Sequence, residues 1–75
     1  MDIMKNSKEM KLAFSECEHQ GDLDNYIADI IKCGGKIIKS EVIADEEEGW
    51  VLFEVENKNS FWLKFHEVDS FAFVY

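Results

Sequence analysis

The stretch on which the fold turns is Met10–Cys17, MKLAFSEC. At helical spacing Met10, Ala13, Phe14 and Cys17 fall on one apolar stripe. Upstream, Asn6 or Ser7 can open such a helix, and Asn6 with Glu9 three residues on has the pattern of a capping box. Downstream, Gly21 can end it, with His19 in the last turn, where a partly positive ring suits the helix dipole. The expectation is therefore a first helix from Asn6 or Ser7 to Gly21, with Met1–Lys5 frayed.

A second helix follows. Asp22 is a good N-cap, and Leu23, Tyr26, Ile27, Ile30 and Ile31 recur at i, i+3, i+4, i+7 and i+8. Gly34 and Gly35 supply the left-handed backbone that closes a helix. From Lys36 the period changes to two. Lys36–Ala44, KIIKSEVIA, reads as a strand with apolar residues on both faces. In Trp50–Glu56, Val51, Phe53 and Val55 alternate with Trp50, Leu52, Glu54 and Glu56. ENKNS, Glu56–Ser60, has hairpin chemistry. Beyond it Phe61, Leu63 and Phe65 alternate with Trp62, Lys64 and His66. EVDS, from Glu67, gives a further turn, and Phe71, Phe73 and Tyr75 alternate with Ala72 and Val74.

The expected fold is α+β in two layers: two N-terminal helices on one face of a four-stranded antiparallel meander, ααββββ. Its 75 residues suit one small domain. At 47% hydrophobic and 32% charged, the composition is that of a globular chain. No apolar run approaches the roughly 20 residues that span a bilayer, and Met1–Lys11 has no signal-peptide pattern. Cytosolic residence is the expectation. Cys17 and Cys33, placed at far ends of antiparallel helices, are expected as unpaired thiols.

Charge is uneven. There are 16 acids against 8 lysines, a net charge of −8. Residues 1–39 hold 7 acids and 6 lysines, whereas residues 40–75 hold 9 acids and 2 lysines. Such a chain is repelled by nucleic-acid phosphates and anionic membranes and suits a basic protein. The densest run is Asp45, Glu46, Glu47 and Glu48. It reads either as a solvated hairpin tip or as one end of an acidic surface continued by Glu54 and Glu56. On the outward sheet face Trp50, Leu52, Trp62 and Val74 are apolar, the two tryptophans side by side on neighbouring strands. They read either as a stabilising pair, or one covered by the N-terminal helix, or as the apolar centre of that surface.

Chemistry is sparse. Cys17, His19, Cys33 and His66 match no common zinc spacing. His66, Glu67 and Asp69 carry no specific catalytic signal. CGGK at Cys33–Lys36 follows a helix rather than preceding one, so it lacks the N–H groups of a phosphate loop. Neither an enzyme nor a cofactor is expected. The leading expectation is an inhibitor of a basic, nucleic-acid-handling protein such as a nuclease or CRISPR effector. It would be analogous to phage or mobile-element anti-CRISPR and anti-restriction proteins. The alternatives are an immunity protein or antitoxin against a basic toxin, and a homodimerising module that uses the outer sheet face.

Overall fold

The computed structural model describes residues 8–68 and the backbone of residues 73 and 74. The order is β-α-β-β-α: β1 Lys8–Ser15, α1 Gln20–Lys32, β2 Lys36–Ile43, a 3-10 turn Ala44–Glu46, β3 Glu48–Val55 and α2 Lys58–Val68. A two-residue strand, β4 Phe73–Val74, is the last described element. The sheet is antiparallel with order β2-β3-β1-β4. This corrects the expected ααββββ meander: the N-terminal element is a central strand, and a helix stands where a third hairpin strand was expected.

β1 is a strand because its burial has period two. Met10, Leu12 and Phe14 are buried, while Glu9, Lys11 and Ser15 on the other face are exposed; the exception is Ala13, buried on that face where it pairs with Trp50 on one side and Phe73 on the other. A helix would turn Leu12 away from Met10 and Phe14, at about 100° per residue. As a strand, the three lie opposite Phe53, Val51 and Gly49 of β3 in turn, with Lys8 opposite Val55 and Ser15 opposite Glu48. The proposed cap residues Asn6 and Ser7 lie outside the described residues.

α1 forms on its expected stripe, with Leu23 and Ile30 fully buried and Tyr26 and Ile27 packed on the core. It starts earlier than Asp22, however. His19 is the N-cap, and Asp22 reaches back to accept from the N–H groups of Glu18 and His19 at 3.0 and 3.4 Å. His19 thus opens a helix instead of closing one, and Gly21 lies inside the first turn. At the C-terminal end Gly34 has φ 97°, as a left-handed closure requires.

β2 pairs with β3 through a register shift between Ile37 and Lys39. That bulge resolves the strand's two-faced apolarity. Ile37, Ser40 and Val42 lie opposite the inward residues Phe53, Val51 and Gly49, while Lys36, Lys39, Glu41 and Ile43 lie opposite Glu54, Leu52, Trp50 and Glu48.

α2 occupies the segment expected as a strand. Asn57, assigned above to a hairpin, is its N-cap: the Asn57 Oδ1 accepts from Ser60 N–H at 2.9 Å, and its carbonyl from Phe61 N–H at 3.0 Å. Phe61 and Phe65, one helical turn apart, are buried and stacked at 5.2 Å, while Leu63 between them is 74% exposed. Phe61 meets Phe53 at 5.0 Å and Phe65 meets Phe14 at 6.3 Å, so α2 joins α1 on the inner face of the sheet. Of the last expected strand only the backbone of Phe73 and Val74 is described, paired with Ala13 and Leu12. Phe71, Tyr75 and the latter half of EVDS lie outside the described residues.

Candidate acidic interface

The acidic run occupies the β2–β3 connection. Asp45 and Glu46 sit in the 3-10 turn, Glu47 follows with φ 52°, and Glu48 begins β3. Asp45, Glu46 and Glu47 are exposed, and Glu48 is half-buried. Glu47 is tied to the neighbouring strand's exit, because its carbonyl accepts the Cys17 N–H at 3.0 Å. That bond places the acidic turn beside the β1–α1 connection, which carries Glu16 and Glu18, and beside the first turns of α1, with Asp22 and Asp24.

Three separate segments therefore deliver carboxylates to one end of the molecule: Glu16 and Glu18, Asp22 and Asp24, and Asp45–Glu48. No lysine interrupts residues 12–31 or 40–57. The opposite end has Lys8 at the start of β1, Lys32 at the end of α1, Lys36 at the start of β2 and Lys58 at the start of α2. One end is therefore uniformly acidic, and the other is mixed, since Glu9, Glu54 and Glu56 accompany those lysines. At the acidic end a recess of about 270 Å³ is lined by Glu16, Asp22, Asn25, Tyr26 and Asp29. Tyr26 is held there by stacking on Phe14 at 4.2 Å.

The other expected contact residues are dispersed. Trp50 and Leu52 lie on the outer sheet face, half-buried, and Lys11 Nζ sits 4.5 Å from the centre of the Trp50 ring. Glu54 shares that face but lies between Lys36 of β2 and Glu9 of β1, at the lysine end. Glu56 follows β3, roughly 25 Å from the acidic turn at about 3.3 Å per strand residue. Trp62 is in α2, in the other layer, packed on the core and edge-on to Phe61 and Phe65 at 6.0 and 6.3 Å. The tryptophans are thus not a cross-strand pair. The outer face is not uniformly acidic either: its rows run Lys36–Glu54–Glu9, Lys39–Leu52–Lys11, Glu41–Trp50–Ala13 and Ile43–Glu48–Ser15.

Glu16, Glu18, Asp22 and Asp24 were not singled out in the sequence as part of this surface. Their signal was the lysine-free window 12–31, which overall acid counts conceal.

Elsewhere the chemistry is quiet. Cys17 and Cys33 are both buried unpaired thiols at opposite ends of the sheet. Burial, and secondarily Asp22, pushes the Cys17 thiol up; burial, and then Asp29, does the same at Cys33. Such thiols stay protonated at neutral pH. Cys33 also lines a cleft of about 570 Å³ with Val55, Phe61, Glu56, Ser60 and Lys64. Among the described residues no group of three or more His, Cys, Asp or Glu is placed to hold a metal ion, and no helix is long and apolar enough to cross a membrane. Comparison with family profiles, with curated proteins and with solved structures gave no match.

Proposed function

We propose that this chain is a small acidic inhibitor that binds a basic, nucleic-acid-handling protein and occludes its nucleic-acid channel. By class it would act like an anti-CRISPR or anti-restriction protein of a phage or mobile element, in the host cytosol. The observation that carries this reading is the convergence of Glu16, Glu18, Asp22, Asp24 and Asp45–Glu48 on one lysine-free end. A groove that binds phosphates presents lysine and arginine, and a dense carboxylate surface satisfies the same donors. The recess between Glu16, Asp22, Tyr26 and Asp29 offers carboxylates beside an aromatic ring, a suitable seat for a partner's arginine. Steering by such a field raises association rates by roughly 10- to 1,000-fold at low salt.

The test is capture from host lysate at low salt, followed by competition. The expected catch is a basic nucleic-acid-binding protein that DNA or RNA displaces and that elutes as salt rises. A triple variant, Glu18→Lys, Asp45→Lys and Glu46→Lys, should keep its fold and lose binding by 100-fold or more, roughly 1 kcal/mol per reversed charge. A partner held equally well by that variant, or one indifferent to competing nucleic acid, removes the proposal.

A further inference from the structure

The β2 edge has its own recognition chemistry. β2 ends the sheet order, so among the described residues its eight-residue outer edge pairs with no strand. Alternate N–H and C=O groups along such an edge point outward and template another strand. The surroundings are apolar: Ile38, at the bulge, is 46% exposed, and Ile31 of α1 is 57% exposed. Ile31 belongs to this edge. Tyr26 stacks on Phe14 of β1, so the opposite flank of α1, carrying Ile27 and Ile31, faces β2, against which α1 mainly packs.

We propose that the occupant of this edge is a second copy of the chain, its β2 antiparallel to the first about a two-fold axis at Ser40. Three features fit that occupant. The register is self-complementary. With Ser40 opposite Ser40, Lys39 falls opposite Glu41 of the partner subunit and Glu41 opposite its Lys39, all four on the outer face. The bulge keeps the faces matched beyond that point. Skipping Ile38 sets inward Ile37 opposite inward Val42 of the partner subunit, and outward Lys36 opposite its outward Ile43. Without the extra residue one end of the pairing would place core-facing side chains opposite solvent-facing ones. Finally, the whole-chain polarity is complementary. β2 runs from the lysine end to the acidic end, so antiparallel pairing lays Lys32 and Lys36 of each copy beside Asp45 and Glu46 of the other. Two chains of charge −8 then meet with lysines of one beside carboxylates of the other, although Glu54 also stands opposite Lys36 within each copy.

This dimer uses a sheet edge rather than the outer sheet face and does not rest on the inhibitor proposal: its test changes only Lys39 and Glu41, whereas the inhibitor's triple variant also alters Asp45 and Glu46 at the margin of this interface. The test is light scattering and sedimentation on the full chain from 1 µM to 1 mM at low salt, with four proteins: wild type, Lys39→Glu, Glu41→Lys, and the double swap. Wild type is expected as a concentration-dependent dimer. Each single reversal is expected to raise the dissociation constant about tenfold or more, because the two-fold doubles every like-charge contact. The double swap is expected to restore the dimer, since it exchanges the charges in place. Both positions are exposed, and circular dichroism of the single variants checks that the monomer remains folded. A wild-type chain monomeric throughout overturns the proposal and leaves the edge to a strand of another protein. A dimer indifferent to both single reversals, or one that the swap fails to restore, overturns the interface.

Discussion

Glu47 holds a conformation that its side chain does not favour. At φ 52° a residue with a Cβ costs roughly 1 kcal/mol or more. Both of its backbone groups are engaged, the carbonyl with Cys17 N–H at 3.0 Å and the N–H with the Ala44 carbonyl at 3.1 Å. Glycine would supply the same backbone without that cost and would remove one charge from a crowded end. Glu47→Gly is therefore expected to raise stability by about 0.5–1 kcal/mol in urea unfolding. A fall would mean that the side chain holds the turn. A gain would fit a carboxylate kept for contact rather than for folding. Gly35 presents the reverse case. A Cβ there would overlap the Ile30 Cγ2 and stand 3.0 Å from Phe53 Cδ2 and 3.1 Å from the Ile30 carbonyl. Gly34 opens into space and asks only for its backbone conformation. Gly35→Ala should cost about 1–3 kcal/mol, and Gly34→Ala about 1 kcal/mol. Melting temperatures in the opposite order would show the close packing at Gly35 to be looser than the structure has it.

At the scale of elements, α2 is tested most sharply by Leu63. In a strand Leu63 would share the inward face with Phe61 and Phe65; in a helix it points to solvent between them. Leu63→Lys should change stability by no more than about 0.5 kcal/mol, whereas Phe65→Ala should cost about 3–5 kcal/mol. A large loss at Leu63 would return the segment to a strand. The same ambiguity explains which parts of the fold the sequence made legible. Phe61 and Phe65 are four apart, a spacing that both periods bring to one face, and the intervening Leu63 tipped the reading toward two. The overlooked local signal was Asn57 ahead of KNSFWLKF, a cap rather than a hairpin turn. In β1 the error ran the other way. Ala13 and Cys17 completed a helical stripe, while Leu12, buried between Met10 and Phe14, carried the strand period. α1 and β3 were legible because Leu23–Ile31 and Trp50–Val55 each fit one period only. Of the acidic surface, Asp45–Glu48 was visible as a run. Its companions at Glu16–Asp24 were not, because only the β1–β3 pairing and the bond from Cys17 to Glu47 bring the two segments together.

For the whole molecule, charge polarity sets folding and association in opposition. Eight carboxylates crowd one end and repel one another in the monomer, while Lys11, over the Trp50 ring, and Lys39, opposite Leu52, stand at the middle of the outer face and offset them only in part. Screening lengths shorten from about 30 Å at 0.01 M to about 10 Å at 0.1 M salt. Added salt should therefore relieve that end and raise the melting temperature of the dilute monomer by a few degrees. Glu46→Lys should reproduce part of that gain at low salt, about 0.5 kcal/mol, and reduce the response to salt. Both proposed associations depend on the same field with the opposite sign, since salt weakens a carboxylate end docked on a basic groove and a lysine end laid beside an acidic one. Protein concentration separates the effects, because dimerisation stabilises by mass action and fades on dilution. The expected result is a melting temperature that rises with salt at 1 µM and rises less, or falls, at 1 mM. A dilute chain that loses stability with salt would instead mean that attractions on the outer face, such as Lys36 opposite Glu54 and Lys39 two residues from Glu41 on β2, outweigh repulsion at the acidic end. The surface charges would then be arranged chiefly for folding, and the case for that end as a binding surface would lose its physical basis.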